Sequence, residues 1–351
     1  MLNYLLVMKG KLSWKSFLAL FCTVLTLLAC EDKQVRVQRF LLQGNEAMAQ
    51  QNFDGARYFF QEAINLEPCF ADALNNLGTL NAKQKHFAEA VEYFNKALEC
   101  NPTYLPTYFN RANAYYDGKE YYSQLKDADY IISVKPDTAV GYVLRGLAQT
   151  KLKQYQVALA SFDRAIELQP TNPEHWVNRG TIRYYQKDWQ GASNDFRKSL
   201  QLQSDQPNAL NALGLLAIEQ DKLDSAKIFF NQALSMKSQE PYFLNNLGFV
   251  YLLEDNLNEA QEAINKSIML DPDNAWAYRN KGIYYLATKD YASAERMLLQ
   301  ALNMDESVDR IHFYYAQALL KNKKQKEACE QIKLSEKYGE GMVKTELKEC
   351  R

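Results

Sequence analysis

The sequence predicts an all-α solenoid of helix–turn–helix repeats, and three features of its spacing support this fold class. A 34-residue frame that starts at Val37 fits nine consecutive copies, residues 37–342, without an insertion or deletion. Position 8 of every copy is a small residue. All nine prolines fall between position 32 of one copy and position 2 of the next, where one helix must end and another begin.

Two further positions of the frame define a pair of helices within each copy. Position 8 is Gly44, Gly78, Ala112, Gly146, Gly180, Gly214, Gly248, Gly282 and Ala316. Position 20 is alanine in all copies except the third, which has Gln124. Position 24 is Phe, Ile or Leu in all copies except the third, which has Ala128. Glycine inside a helix costs about 1 kcal/mol relative to alanine. Seven glycines at one position therefore predict that a second helix packs closely there, with the small position 20 opposite.

The first 29 residues have the pattern of a targeting segment rather than of a fold. Lys9, Lys11 and Lys15 precede an apolar stretch of about a dozen residues, which is shorter than the roughly 20 that a membrane-spanning helix needs. Translation could start at Met1 or at Met8. The whole chain has a net charge of −1, and loss of residues 1–29 would leave 38 Lys and Arg against 42 Asp and Glu. This acidic balance argues against a nucleic-acid partner.

The apolar stretch ends in Leu27, Leu28, Ala29 and Cys30, which resembles the lipobox of bacterial lipoproteins. The resemblance implies removal of residues 1–29, lipidation of Cys30, a short tether over residues 30–36 and a membrane contact through the lipid. We expect a location in the bacterial cell envelope, at the outer membrane, with the periplasmic or surface side left open. An uncleaved anchor or an ordinary signal peptide are the alternatives.

The repeat itself closely resembles the tetratricopeptide repeat family over residues 37–342. This resemblance implies a right-handed superhelical solenoid whose concave face is lined by the first helix of each copy. Residues 343–351 are then expected to form a C-terminal capping helix, since a terminal repeat needs a polar end.

Four cysteines remain after Cys22 leaves with the leader and Cys30 takes the lipid, which is an even number in an exported chain. Cys69 and Cys100 fall at neighbouring ends of one antiparallel helix pair. Cys329 and Cys350 would join the last repeat to the capping helix. We expect the Cys329–Cys350 disulfide and consider Cys69–Cys100 equally compatible with a bridge or with reduced, buried thiols.

A row of asparagines marks the face that the family resemblance makes concave. Five copies carry asparagine at position 6, and the sixth copy has one a single place earlier: Asn76, Asn110, Asn178, Asn246 and Asn280, with Asn211. Each amide can donate and accept, so such a row could hold the backbone of an extended peptide. It is similar to the asparagine ladder of the O-linked N-acetylglucosamine transferases. Asparagines whose amides are satisfied within the fold, between neighbouring first helices, are the alternative.

Aromatic residues are expected beside this row, where they would give large contact areas to a bound peptide. They are Phe109, Tyr116, Tyr184, Tyr185, Tyr242, Phe249, Trp276, Phe313 and Tyr314. The lysines of the family's carboxylate clamp are replaced by Asn, Phe or Val, so we do not expect capture of a free C-terminus.

No motif for a metal, nucleotide or dinucleotide site occurs in the sequence, and the repeats leave no room for a catalytic domain. We therefore expect no enzyme, no cofactor and no small-molecule substrate. The sequence favours an envelope-tethered adaptor that binds peptide segments of other proteins. A structural assembly factor, similar to the pilotin-like repeat lipoproteins that help to build secretion or pilus channels, is the second hypothesis.

Overall fold

The computed structural model describes residues 32–340 and residue 350. Within those residues it contains 18 α-helices and no strand, which confirms the all-α fold. The predicted leader, Cys30 and the capping helix, apart from Cys350, lie outside the described residues. The helices are α1 (Lys33–Ala49), α2 (Phe53–Leu66), α3 (Ala71–Lys83), α4 (Phe87–Cys100), α5 (Leu105–Asp117), α6 (Tyr121–Val134), α7 (Ala139–Lys151), α8 (Tyr155–Leu168), α9 (Pro173–Tyr185), α10 (Trp189–Leu202), α11 (Pro207–Glu219), α12 (Leu223–Met236), α13 (Pro241–Leu253), α14 (Leu257–Leu270), α15 (Ala275–Ala287), α16 (Tyr291–Met304), α17 (Ile311–Lys321) and α18 (Gln325–Tyr338).

The odd-numbered helices are the first helices of the pairs and the even-numbered helices are the second. Every second helix, from α2 to α18, begins 34 residues after the previous one. The first helix, α1, begins at Lys33, four residues before the start of the sequence frame. Asp32 explains this early start, because its side chain accepts a hydrogen bond from the Gln34 amide and caps the helix.

The turn inside each pair has one backbone conformation throughout. A non-glycine residue with a φ of 56–64° follows the C-cap of each first helix, as at Lys187 after α9. There the Lys187 amide donates to the Tyr184 carbonyl and the Asp188 amide donates to the Arg183 carbonyl. This is a Schellman ending, which occupies carbonyls that the helix end would leave unpaired.

The repeated small residue at position 8 is explained by large side chains at position 24 of the second helices, which are phenylalanine rings in five of the nine copies. A Cβ added at Gly44 would lie 2.3 Å from the Phe60 ring, and one at Gly214 would lie 2.5 Å from the Phe230 ring. The predicted close approach is therefore present, but the group that fills the space over the glycine is the side chain at position 24. The alanine at position 20 is not the contact, because the larger ring reaches the glycine first.

The third pair keeps this packing with smaller side chains. Ala112 and Ala128 replace the usual glycine and phenylalanine, and both are fully buried in a cluster with Ile131 and Leu144. Gln124 is also buried, and its amide donates to the Leu144 carbonyl over 3.1 Å. The departure from the pattern is thus accommodated by a hydrogen bond between α6 and the next first helix, α7.

Cations at position 7 join the first helices to two second helices. Arg111 donates twice to Asp127 on its own pair's second helix, over 2.8 and 2.6 Å, and once to Asn95 on the preceding second helix. Arg179 binds Asp195 and Asp163 in the same way. Such charge-assisted, two-pronged bonds fix the spacing between neighbouring pairs.

The described chain divides into two compact units, with the boundary between Gln154 and Tyr155. Unit 1 contains α1–α7 and unit 2 contains α8–α18. Within each unit, every first helix contacts the next first helix, whereas no second helix in the described residues contacts another. Helices that lie closer together must be on the inner side of a curved array. We call the side formed by the first helices of a unit its inner face.

Candidate functional site

Asparagine side chains join successive first helices along the inner face of both units. In each of three pairs an Nδ2 donates to an Oδ1 35 residues earlier: Asn110 to Asn75 over 3.0 Å, Asn246 to Asn211 over 2.9 Å and Asn280 to Asn245 over 2.7 Å. Asn76 donates similarly to Asn45 over 2.8 Å. The sequence pattern had identified one member of most of these pairs and had missed Asn45, Asn75 and Asn245, although the 35-residue spacing of the last two was readable.

These pairs change the interpretation of the predicted row. Asn280 is fully buried, its Nδ2 is bound to Asn245 and its Oδ1 accepts from Arg279. The prediction that Asn280 contacts a peptide is therefore wrong, because neither solvent nor a ligand reaches its amide. Its role is to hold α13, α15 and the Arg279 side chain together.

The other predicted asparagines are half-buried, and all except Asn76 keep a polar atom without a partner among the described residues. Asn178 makes no side-chain hydrogen bond there, and the Oδ1 atoms of Asn110 and Asn246 accept none. Asn211 uses only its Oδ1. Asn76 uses both ends of its amide, with Asn45 and Asn75. A peptide backbone could therefore find free amide groups at Asn110, Asn178, Asn211 and Asn246.

The predicted aromatic residues lie mostly on the first helices and are partly accessible. Tyr185 and Tyr242 are about half exposed, at 51% and 47%. The others are half-buried, and they are Phe109, Tyr116, Tyr184, Phe249, Trp276, Phe313 and Tyr314. Several are edge-on neighbours, as are Tyr184 with Tyr185 at 6.0 Å and Phe313 with Tyr314 at 5.1 Å between ring centroids. Such pairs give an apolar wall that needs little ordering before it binds.

Arg279 was not predicted, yet it occupies the centre of this wall in unit 2. Its guanidinium carbon lies 4.9 Å from the Phe249 ring centroid and 5.0 Å from that of Trp276. Its Nε and Nη2 donate to Asn280 Oδ1 over 3.0 and 2.8 Å, and its Nη1 donates to the Asp309 carbonyl over 2.9 Å. The sequence did contain a signal, because this is the one charged residue at position 5 of the frame.

Titratable side chains from four helices or their ends converge around Arg279. Burial lowers the pKa of Arg279, while the charges of Tyr314 and Asp309 act in the opposite direction. The Tyr184 hydroxyl donates to Glu219 over 3.3 Å, and its pKa is raised by burial and by the charges of Glu219 and Asp309. Side chains from α9, α11, α15 and the start of α17 are thus within electrostatic reach of one another across the inner face of unit 2.

Both candidate cysteine pairs form disulfides in the structure. Cys69 is joined to Cys100 with a Cα–Cα distance of 5.2 Å, and Cys329 is joined to Cys350 with a Cα–Cα distance of 5.4 Å. The first bridge connects the turn before α3 with the end of α4. The second ties residue 350 to α18.

Among residues 32–340 and residue 350, no group of three or more His, Cys, Asp or Glu is arranged to hold a metal ion. No helix in this part of the chain has both the length and the apolar character needed to cross a membrane. His312 is buried, its Nδ1 lies 2.7 Å from Gln331 Oε1 and its ring stacks on Tyr338.

Family models of the tetratricopeptide repeat match four segments of the chain. One model matches residues 71–104, a second matches residues 139–172 and 207–240, and a third matches residues 242–307. Three of the four matches begin at the first residue of a 34-residue copy, and the fourth begins one residue after it. No curated protein sequence matches the chain.

Solved structures share the fold at low sequence identity. A chain of the APC/C hetero-tetramer Cut9–Hcn1 matches with a TM-score of 0.64 and 16% identity, covering 91% of this chain and 64% of that one. This chain thus spans about two thirds of that relative's length. A structure from the functional characterization of Pseudomonas aeruginosa pilF matches with a TM-score of 0.50 and 17% identity, covering 59% of this chain and 94% of that one.

Proposed function

The chain belongs to the tetratricopeptide repeat proteins, and from this premise we propose that it is a non-catalytic adaptor that binds extended peptide segments of other proteins on its inner face. The family's fold is that of a protein–protein interaction scaffold. The observation that carries the proposal is the inner face of unit 2, where accessible aromatic rings lie beside half-buried amides with free hydrogen-bonding atoms. Amides can bind a peptide backbone without reading its sequence, and rings supply contact area.

The structural relatives support a protein partner in general terms. The Cut9–Hcn1 match is a chain of a hetero-tetramer, so a helical array of this fold takes part in a protein assembly there. The low identity limits this support to the fold.

We also propose that the protein is held at a bacterial membrane by a lipid on Cys30. The support is the lipobox-like sequence before Cys30 and the start of α1 only three residues after it. The inner face of unit 1 would then begin close to the membrane surface. Replacing Cys30 with Ser should move the protein from the membrane fraction to the soluble fraction of the cell. Retention of the variant in the membrane fraction would contradict the anchor.

Partner capture can be tested by crosslinking and pull-down from the membrane fraction with a variant chosen for its exposed groups. Asn178→Ala combined with Tyr185→Ala and Tyr242→Ala removes a free amide and two half-exposed rings. We expect captured proteins to decrease while helicity and the melting temperature stay close to the wild-type values. A matched variant on the second helices, Tyr58→Ala with Tyr122→Ala, removes two exposed rings away from the inner face and should retain capture.

The same pull-down separates the adaptor from the alternative, a structural assembly factor for a secretion, pilus or outer-membrane complex. Diverse captured proteins would favour the adaptor. One oligomeric channel protein, captured in fixed proportion, would favour the assembly factor. If the inner-face variant captured as much protein as the wild type, binding of a partner on this face would be contradicted for both the adaptor and the assembly factor.

A further inference from the structure

The guanidinium of Arg279 is a buried charge with too few partners. The side chain is 5% exposed, and three of its five N–H groups are used by Asn280 Oδ1 and the Asp309 carbonyl. These acceptors are neutral. A buried cation without a hydrogen-bonded anion is unfavourable, and its charge is usually compensated by a carboxylate or a phosphate.

The carboxylate that forms an ion pair with Arg279 leaves its charge incompletely compensated. Asp309 Oδ2 lies 3.7 Å from Arg279 Nη1, beyond hydrogen-bond distance, and the Asp309 side chain is 62% exposed. Glu219 forms no ion pair with Arg279 and instead accepts a hydrogen bond from Tyr184. The guanidinium of Arg279 therefore faces the solvent-exposed carboxylate of Asp309 without a hydrogen bond to it.

A second arginine, Arg310, lies beside the same Asp309 carboxylate. Arg310 Nε is 3.7 Å from the same Asp309 Oδ2, the Arg310 side chain is 51% exposed, and its charge acts on Arg279. Two guanidinium groups therefore share one carboxylate, and neither forms another ion pair among the described residues. Charge complementarity favours an anionic group there.

The surrounding rings identify the kind of molecule that would carry this anion. Phe249 and Trp276 enclose the guanidinium, and Tyr314 is half-buried beside it. A peptide can present a carboxylate to the arginines while its neighbouring residues contact the rings. A carboxylate is planar and matches the two-pronged geometry of a guanidinium.

We propose that Arg279 and Arg310 bind an Asp or Glu side chain of an extended peptide on the inner face of unit 2. This inference rests on the proposed peptide-binding function and adds the chemical class that is recognised. Asn280 acts as a positioning residue, because its Oδ1 fixes two nitrogens of Arg279. Asp309 acts as a competitor for the same site.

The test is a selection of random 12-residue peptides, displayed between flanking Gly-Ser linkers so that neither terminus is free, on the full-length protein. The wild type is expected to enrich peptides in which Asp or Glu stands at a fixed sequence spacing from apolar or aromatic residues. The selected peptide should lose about tenfold in affinity when its acid is changed to the amide, and a similar factor when Arg279 is changed to Met. Both changes together should cost little more than either alone.

Two exposed variants keep the proposal testable if Arg279→Met fails to fold. Asp309→Asn removes the competing carboxylate and should tighten the acidic peptide several-fold, whereas Arg310→Gln should weaken it. Selected peptides without an acid, or additive losses in the paired changes, would overturn the arginine site and leave the proposed function intact. Absence of any selected peptide would overturn both.

Discussion

Asparagines at the same position of the 34-residue frame have different roles in this molecule, and the residues around each one decide its role. Asn280 is fully buried between Asn245 and Arg279, whereas Asn178 is half-buried and makes no side-chain hydrogen bond among the described residues. Loss of the first amide leaves buried polar groups unpaired. Loss of the second removes only a potential ligand contact.

We expect Asn280→Ala to lower the free energy of unfolding by about 2 kcal/mol, because it removes the acceptor of two Arg279 nitrogens and the donor to Asn245 Oδ1 in a buried site. Asn178→Ala, the matched control, should change it by less than about 0.5 kcal/mol. Urea unfolding followed by circular dichroism measures both. Equal stabilities for the two variants would show that the buried hydrogen bonds of Asn280 contribute nothing measurable.

His175 should make stability depend on pH. It is buried in α9, its Nδ1 has no hydrogen-bond partner, and burial lowers its pKa below the usual 6.5. The unfolded chain then binds a proton that the folded chain does not. The stabilising contribution is therefore present above pH 6.5 and is lost as the pH falls towards the lowered pKa of the folded state.

His175→Gln should flatten the dependence of the unfolding free energy on pH below 6.5, measured by urea unfolding between pH 8 and pH 5. The variant and the wild type are compared at each pH, so that a constant loss of packing is separated from the change in slope. Parallel curves would assign the pH dependence to other groups.

At the scale of the helix, the pairing of glycine with a large ring is the unit that repeats. The Gly214 position and the Phe230 ring occupy one space, since an added Cβ would lie 2.5 Å from the ring. In the third pair, Ala112 replaces the glycine and Ala128 replaces the ring, and both alanines are fully buried. Small and large residues thus compensate each other across a helix pair.

Gly214→Ala is expected to destabilise the protein by about 1–3 kcal/mol, because the Phe230 ring must shift within a packed core. The loss should be smaller when Phe230 is already alanine, since the space is then empty. Thermal unfolding of the two single variants and the double variant gives the coupling between them. Simple additivity would contradict the steric explanation.

These helices illustrate how far sequence reading reaches. The 34-residue spacing predicted the helix pairs, and the prolines predicted their boundaries, because both depend on local backbone rules. The sequence did not reveal that position 24 covers the glycine, since that contact depends on the tilt between two helices. The left-handed residue after each first helix was also missed, because Lys187 and its equivalents are not glycine.

At the scale of the molecule, each helix pair contacts only its neighbours within a unit. Stability in such arrays is close to a sum of local terms, so a damaged pair affects its neighbours most. The ion pair of Arg111 with Asp127 allows this to be tested in unit 1. Asp127 is buried, whereas Asp129, two residues later on α6, is exposed and lies 3.7 Å from Arg145.

Asp127→Ala should cost about 2–3 kcal/mol because it leaves the Arg111 charge largely buried without its carboxylate. Amide hydrogen exchange should accelerate in α5–α7 and remain near wild-type rates in α13–α18. The control Asp129→Ala removes an exposed partner and should cost less than about 0.5 kcal/mol. Uniform acceleration along the whole chain would contradict local, additive stability.

Sequence spacing was sufficient for the all-α fold, the length of the repeat and the first helices as the side that carries asparagine and aromatic residues. It was sufficient because helical geometry repeats every 3.6 residues and therefore assigns a face to each position. Tertiary packing decided which of those residues can meet a ligand. Asn280 and Arg279 lie where three first helices and the segment before α17 meet, and their exposure depends on groups about 30–35 residues away. Those distances follow from how neighbouring pairs pack, which no local periodicity contains.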